Sequence, residues 1–92
     1  MPALSPNEAD ERLKGLSGWQ RQGDEIRKDF EFKDFKAAMA FVNQVADEAE
    51  AIDHHPDISI SYNRVTMSLS THSEGGLTDK DFTLAPKIDA AA

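Results

Sequence analysis

Cysteine is absent from this 92-residue chain, and acidic residues outnumber basic ones. Without cysteine the chain can form no disulfide, thiolate nucleophile or cysteine-ligated zinc site, which is consistent with a reducing compartment. The formal net charge is −7, and the ten Lys and Arg residues are scattered. This charge argues against direct nucleic-acid binding, because such binding depends on neutralising phosphates. A small-molecule or protein ligand is the expectation that remains.

Long apolar runs are also missing. No stretch approaches the roughly 18 consecutive apolar residues that a membrane-spanning helix needs, and Met1 to Gly15 lacks the features of a secretory signal. We therefore expect a cytoplasmic protein with no membrane contact. No repeat, low-complexity segment or Pro/Gly/Ser-rich linker divides the chain, so residues 1–92 are predicted to form a single domain.

Local patterns predict an alternation of helices and β-hairpins. Ser5, Pro6 and Glu8 are typical of a helix start, in which the serine caps the first turn and the glutamate returns a hydrogen bond. Further along, apolar residues recur at intervals of two in some segments and of three and four in others. The predicted elements are a helix ending near Gly15, strands over 19–22 and 25–32, a helix from Phe35 to about Asp53, strands over 58–62 and 65–70 joined at Asn63-Arg64, and a helix after Thr78. An α+β fold follows.

Two features of the predicted helices bear on assembly and on helix length. The apolar arc of the central helix is roughly 160° wide, against the about 100° needed to pack on one sheet face, which suggests a subunit contact. A domain this small buries only about 60 to 65% of its unfolded surface, which also favours self-association. Pro86 should remove the backbone hydrogen bond to Phe82, so the last helix is expected to kink or end early.

Three histidines lie outside the apolar stripes. His54 and His55 are adjacent where the central helix should end, because Pro56 disfavours helical geometry in the residue before it. His72 follows the second hairpin, with the parity of its polar face. Imidazole suits proton transfer near neutral pH, where it can both give and take a proton. Glu50, four residues before His54 on the same helix flank, could orient an imidazole or could be an ordinary solvated glutamate.

A metal site is the second interpretation of these residues. The three imidazoles, together with Glu50 or Asp57, would make a donor set that zinc accepts. Against it, adjacent side chains diverge, and no two histidines have the i, i+4 spacing of helical metal motifs. Asp81 has a structural interpretation of its own, because an acidic residue three positions after the Thr78 cap satisfies a helix start.

A series of motifs in register resembles the pterin-4a-carbinolamine dehydratases. The motifs are Glu50-Ala-Ile-Asp-His-His-Pro56, Tyr62-Asn-Arg-Val65, Ser70-Thr-His72 and Gly76-Leu-Thr-Asp-Lys-Asp-Phe82, with Trp19 at the opening of the first strand. A lone His-His-Pro would be weak, but the combination is specific and spans nearly the whole chain. The resemblance implies a four-stranded antiparallel sheet with three helices packed on one face, assembled as a homodimer or homotetramer.

The resemblance also implies a lyase reaction, the loss of water from 4a-hydroxytetrahydropterin to give quinonoid dihydropterin. The reaction belongs to recycling of the tetrahydrobiopterin cofactor of aromatic amino acid hydroxylases, and it requires no metal or organic cofactor. His54 would be the main general acid–base residue, while His55 and His72 would contact the pterin or assist proton transfer. The supporting residues would be Glu50, Asp81 and Pro56.

The sequence departs from the family at two positions, and a rival hypothesis accompanies the resemblance. Ile58 stands where the animal enzymes have an aromatic residue, and Pro86 interrupts the final helix. Relatives of this fold act as dimerisation partners of a homeodomain transcription factor or as assembly factors, so a non-catalytic binding role is the alternative. The intact histidines favour the enzyme, because a pure scaffold would not need all three.

Overall fold

Three α-helices and a four-stranded antiparallel sheet make up the fold in our computed structural model, which describes residues 2–92. The elements are α1 Pro6–Leu13, β1 Gln20–Gln22, β2 Glu25–Glu31, α2 Phe35–Ala51, β3 Asp57–Ser61, β4 Arg64–Leu69 and α3 Asp79–Ala91, with a 3₁₀ turn at His72–Glu74. The strand order is β1-β2-β4-β3. The predicted α+β class is confirmed, and so is the order of helices and hairpins.

Alternating side chains divide the sheet into a core face and a solvent face. Ile26 of β2 lies opposite Leu69 of β4, and Phe30 lies opposite Val65. All four side chains are buried. The core cluster also takes residues from each of the three helices, whereas the residues between the buried ones on β2 and β4 are mostly polar. The helices therefore cover one face of the sheet, as predicted.

The wide apolar arc of α2 has two neighbours within the chain. α2 packs against β4 and also against α3, so it needs more apolar surface than a helix that contacts a sheet alone. Phe41 and Val45 of this arc are buried, but Phe35 at its start is half exposed. Because the intrachain contacts account for much of the arc, a subunit contact through α2 stays a prediction.

β3 is an edge strand whose apolar side chains are left uncovered. Ile58 pairs with Met67 and Ile60 with Val65, so both isoleucines point to the core face, yet they are 37% and 40% exposed. The hairpin turn lies one residue earlier than predicted, because Ser61 pairs with Arg64.

The shift of this turn has a tertiary cause. Tyr62 adopts a left-handed backbone conformation with a φ of 53°, which a two-residue hairpin turn requires. The Asn63 side chain donates to the carbonyl of Phe32 over 2.7 Å, and the Phe32 amide donates to the Asn63 carbonyl over 2.9 Å. These bonds anchor the turn to the end of β2.

Of the two outcomes expected at Pro86, a kink or an early end of the last helix, the early end is wrong. α3 continues through Pro86 to Ala91. Leu84, Ala85 and Ile88 on either side of the proline are fully buried, so packing holds the helix against the local penalty. Pro86 itself is exposed, so its ring takes no space in the core. Within residues 2–92, every helix is too short or too polar to span a bilayer.

Candidate active site

α2 ends in a Schellman turn that sets the direction of the two adjacent histidines. The Asp53 amide donates to the Glu50 carbonyl over 3.3 Å, and the His54 amide donates to the Ala49 carbonyl over 3.0 Å, which is the bond pair of this motif. Asp53 has a φ of 51°, and aspartate tolerates this left-handed conformation better than most residues. The predicted end of the helix near Asp53 is confirmed.

His54 turns inward and meets Asp81. Its Nε2 lies 2.6 Å from Asp81 Oδ1, and the two residues are 8% and 0% exposed. Asp81 reaches this position because α3 begins at Asp79 and carries Asp81 in its first turn, facing the end of α2. The Asp81 carboxylate, which the sequence pattern predicts to cap the last helix, is therefore also the partner of a buried imidazole.

The second oxygen of Asp81 is fully occupied by hydrogen-bond donors. Oδ2 accepts from the Thr78 backbone amide over 3.0 Å and from the Thr71 hydroxyl over 2.9 Å. Thr71 was not among the predicted site residues. Its signal in the sequence is parity, because Thr71 continues beyond β4 the alternation of the core-facing Met67 and Leu69. A buried polar residue at such a position needs a hydrogen-bond partner.

His55 turns outward and meets Glu50. Its Nε2 lies 2.5 Å from Glu50 Oε2, and the two side chains are 56% and 75% exposed. Glu50 therefore does contact and orient an imidazole. The i, i+4 spacing indicates His54 as its partner, but the Schellman turn brings His55 to Glu50 instead. In water this pair contributes little to stability, because solvent screens the charges and both side chains lose freedom.

His72 emerges past the end of β4 on the exposed side, as its parity predicted. It begins the 3₁₀ turn His72–Glu74, and its Nε2 lies 3.9 Å from Asp57 Oδ2 at the start of β3. That distance fits a solvated ion pair and is too long for a hydrogen bond. His72 also lines a surface cavity of about 320 Å³. The other lining residues are Gln22, Asp24, Glu25, Ser70 and Gly75.

The three imidazoles therefore have three different partners. Pro56, half-buried between His55 and the first residue of β3, joins the end of α2 to the edge strand. Within residues 2–92 no three His, Asp or Glu side chains form a group that could hold a metal ion, so the three-imidazole zinc interpretation gains no geometric support. The arrangement can supply one oriented, buried imidazole and two exposed ones.

Comparison with known sequences gives consistent names. A family model described as Pterin 4 alpha carbinolamine dehydratase matches residues 2–91. A protein of Acidobacterium capsulatum is 54% identical over 90 residues, which cover 98% of each chain. A protein of Roseiflexus sp. is 58% identical over 86 residues, which cover 94% of this chain and 92% of the relative. Both relatives bear the name "Putative pterin-4-alpha-carbinolamine dehydratase".

Two solved structures share the fold to different degrees. The crystal structure of a transcriptional coactivator/pterin dehydratase from Brucella melitensis has a TM-score of 0.94 and 43% identity, with 98% of each chain covered. A pterin dehydratase-like protein identified as a RuBisCO assembly factor in the alpha-carboxysome has a TM-score of 0.67 and 24% identity, covering 80% of this chain and 86% of its own. The second likeness extends to the fold alone.

Proposed function

The chain belongs to the pterin 4 alpha carbinolamine dehydratase family, and we propose that it removes water from 4a-hydroxytetrahydropterin to give quinonoid dihydropterin. In this reaction the bond between C4a and the hydroxyl oxygen breaks, and N5 loses its proton as the C4a–N5 double bond forms. Hydroxide leaves poorly unless it is protonated, so a matched acid and base lower the barrier. Histidine side chains can serve both ends.

The observation that carries the proposal is the buried His54–Asp81 pair. An imidazole whose Nε2 is bound to a buried carboxylate has a fixed orientation, and its other nitrogen is left for a substrate. Within residues 2–92 no group hydrogen bonds to His54 Nδ1. We assign proton exchange with the pterin to this atom, which accepts a proton in the neutral imidazole and donates one in the charged imidazole. Asp81 stabilises the charged form by its negative charge.

The other histidines have supporting roles in this proposal. His55 and His72 are exposed, so they can contact the polar edges of a pterin or relay protons between it and water. Glu50 orients His55, and Pro56 restricts the backbone that carries it. Neither a metal ion nor an organic cofactor enters the reaction, so the proposal requires full activity from metal-free protein.

We further propose that the protein works as a homodimer or homotetramer in the cytoplasm, serving an aromatic amino acid hydroxylase. The edge strand β3 supports self-association, because it offers unpaired backbone groups beside the exposed side chains of Ile58, Ile60 and Tyr62. The surface of α2 around the half-exposed Phe35 is a second candidate for a subunit contact. The absence of cysteine agrees with a reducing compartment.

A non-catalytic binding role is the second candidate, favoured by the same exposed edge of β3. An apolar edge strand can add a strand of another protein as readily as a second copy. The two functions differ in what they need from the site, because a binding role through β3 makes no use of the buried His54–Asp81 pair.

The test is an assay of quinonoid dihydropterin formation from freshly generated 4a-hydroxytetrahydropterin, with and without the purified protein. We expect a rate well above that of spontaneous dehydration, and the same rate after treatment with a chelator. A rate equal to the uncatalysed one, from protein whose circular dichroism shows it to be folded, would overturn the proposal.

Light scattering of the purified protein tests the assembly. We expect a mass two or four times that of the chain, and charged substitutions such as Ile60→Lys should reduce it. A monomer in solution that acquires a stoichiometric partner protein through β3, and that lacks activity, would favour the binding role instead.

A further inference from the structure

We propose that Thr71 and Thr78 are positioning residues for His54, because their hydroxyl groups form a one-way hydrogen-bond chain that fixes the proton of the His54–Asp81 pair on His54 Nε2. The proposal deepens the proposed function and uses the same site. It adds two residues to which the family motifs gave no role in proton transfer.

The direction of the chain follows from counting donors. The Lys80 amide donates to Thr78 Oγ1 over 3.3 Å, and Thr71 Oγ1 donates to Asp81 Oδ2 over 2.9 Å. The hydroxyls of Thr71 and Thr78 are 2.8 Å apart. Since each hydroxyl has one proton, and Thr71 gives its proton to the carboxylate, Thr78 must donate to Thr71. Every bond therefore points toward Asp81.

This direction decides where the shared proton lies. Oδ2 of Asp81 already accepts from two donors, the Thr71 hydroxyl and the Thr78 amide, so no proton can reside on that oxygen. Only Oδ1 remains, and it faces His54 Nε2 at 2.6 Å. Two donors on Oδ2 withdraw negative charge from the carboxylate oxygens, which makes Oδ1 an acceptor and leaves the proton on Nε2. His54 then presents Nδ1 as its proton-exchanging atom.

Burial makes these hydroxyls matter. Thr71 and Thr78 are 5% and 2% exposed, so water does not replace a hydroxyl that is lost. The backbone of Thr71 also frames the turn that carries His72, because its amide donates to the Gly76 carbonyl over 2.9 Å and its carbonyl accepts from Glu74 over 3.0 Å. Thr71 thereby links the buried His54 site to the turn that carries the exposed His72.

The competing explanation is that both threonines are purely structural, Thr78 as the cap of α3 and Thr71 as a packed turn residue. The tautomer of His54 separates the two, and it is measured without substrate by ¹⁵N NMR of the imidazole nitrogens. In the wild-type protein at pH values where His54 is neutral, we expect the proton on Nε2. A proton on Nδ1 would overturn the proposal.

Thr71→Val removes the hydroxyl and keeps the shape of the side chain. We expect the preference for the Nε2 proton to fall about five- to tenfold and kcat to fall about tenfold with KM within about twofold. Thr71→Ser should restore both, because it restores the donor. Thr66→Val is the matched control, since Thr66 on the preceding strand β4 also donates to a carboxylate, that of Asp29 over 2.7 Å, but on the solvent face. It should change neither quantity.

A folded Thr71→Val protein with the wild-type tautomer population would overturn the proposal. Should this variant fail to fold, Thr71→Ser and Thr71→Cys decide, because serine keeps a strong donor and cysteine offers a weak one; equal tautomer populations in the two would be equally damaging. If the tautomer shifts as expected but the wild-type protein does not dehydrate the pterin, the proposed function fails and the positioning role of the threonines stands.

Discussion

α1 and α3 begin with the same local device, and the two copies have different consequences. In α1, Ser5 and Glu8 exchange hydrogen bonds at the exposed surface. In α3, Thr78 and Asp81 exchange them in the interior, where Asp81 is fully buried. A buried carboxylate needs donors from the protein on all its acceptor sites. The buried Asp81 therefore accepts a hydrogen bond from Thr71 and contacts His54, whereas the exposed Glu8 is open to solvent.

Asp81 both contacts an imidazole and is buried, whereas Glu50 has only the first of these two properties. Like Asp81 it contacts a histidine, but like Glu8 it lies in solvent, with 75% of its side chain exposed. If contact with an imidazole were sufficient, Glu50 would matter to activity as much as Asp81. If burial is also required, only Asp81 should have a large effect. The experiments below test this comparison.

Removing the imidazole of His54 should have the largest effect. His54→Ala is expected to lower kcat/KM about 10³-fold, because it removes the group to which we assign proton exchange. It also leaves Asp81 buried without its imidazole, so the variant should unfold at a lower temperature. His54→Gln can still donate to Asp81 and should recover part of the stability but none of the rate. Near wild-type turnover in either variant would contradict the assignment.

The exchange of Asp81 for asparagine should come next. Asp81→Asn is isosteric, but the amide group of asparagine must direct an N–H either toward His54 or toward the Thr71 and Thr78 donors. We expect kcat/KM to fall about 10²-fold and the free energy of unfolding to fall by about 2 to 3 kcal/mol. Glu8→Gln is the matched control in the other capping box, where glutamine still accepts from the Ser5 amide, and it should change activity by less than about twofold.

Glu50→Gln should have a smaller effect on activity than Asp81→Asn. Because the Glu50–His55 pair is exposed, solvent screens its charges, and we expect kcat/KM to fall by less than about fivefold. The remaining effect should shrink as salt is added. Steady-state kinetics at low and high ionic strength measure both. A loss as large as that of Asp81→Asn would mean that burial does not explain the difference between the two carboxylates.

The pH dependence of the α1 capping box should be the smallest effect. The hydrogen bond from the Ser5 backbone lowers the pKa of Glu8 below its ordinary value of 4.5. A lowered pKa in the folded state gives stability that is present above pH 4.5 and lost as the pH falls through the folded value. The melting temperature of the wild type should therefore drop slightly relative to that of Glu8→Gln as the pH falls below 4.5. Parallel melting curves would contradict this.

Local chemistry along the chain was sufficient for the elements of the fold. Alternation and helical spacing predicted the order of helices and hairpins, Pro56 predicted the end of α2, and both capping boxes were visible as residue pairs three apart. These features depend on contacts within one or two turns, which neighbouring residues supply. Family motifs added the sheet and the one-sided helix layer, both of which the fold confirms.

Tertiary structure decided the features that depend on packing between distant segments. α3 runs through Pro86 because buried side chains on both sides hold it, and the hairpin turn shifts to Tyr62 because Asn63 binds the end of β2. The partners of the histidines were also decided by the tertiary structure. Spacing along α2 associated Glu50 with His54, but the left-handed Asp53 sends His54 inward to Asp81, 27 residues away, and His55 outward to Glu50. Which carboxylate–imidazole pair lies in the interior is decided by burial, and burial exists only in the folded chain.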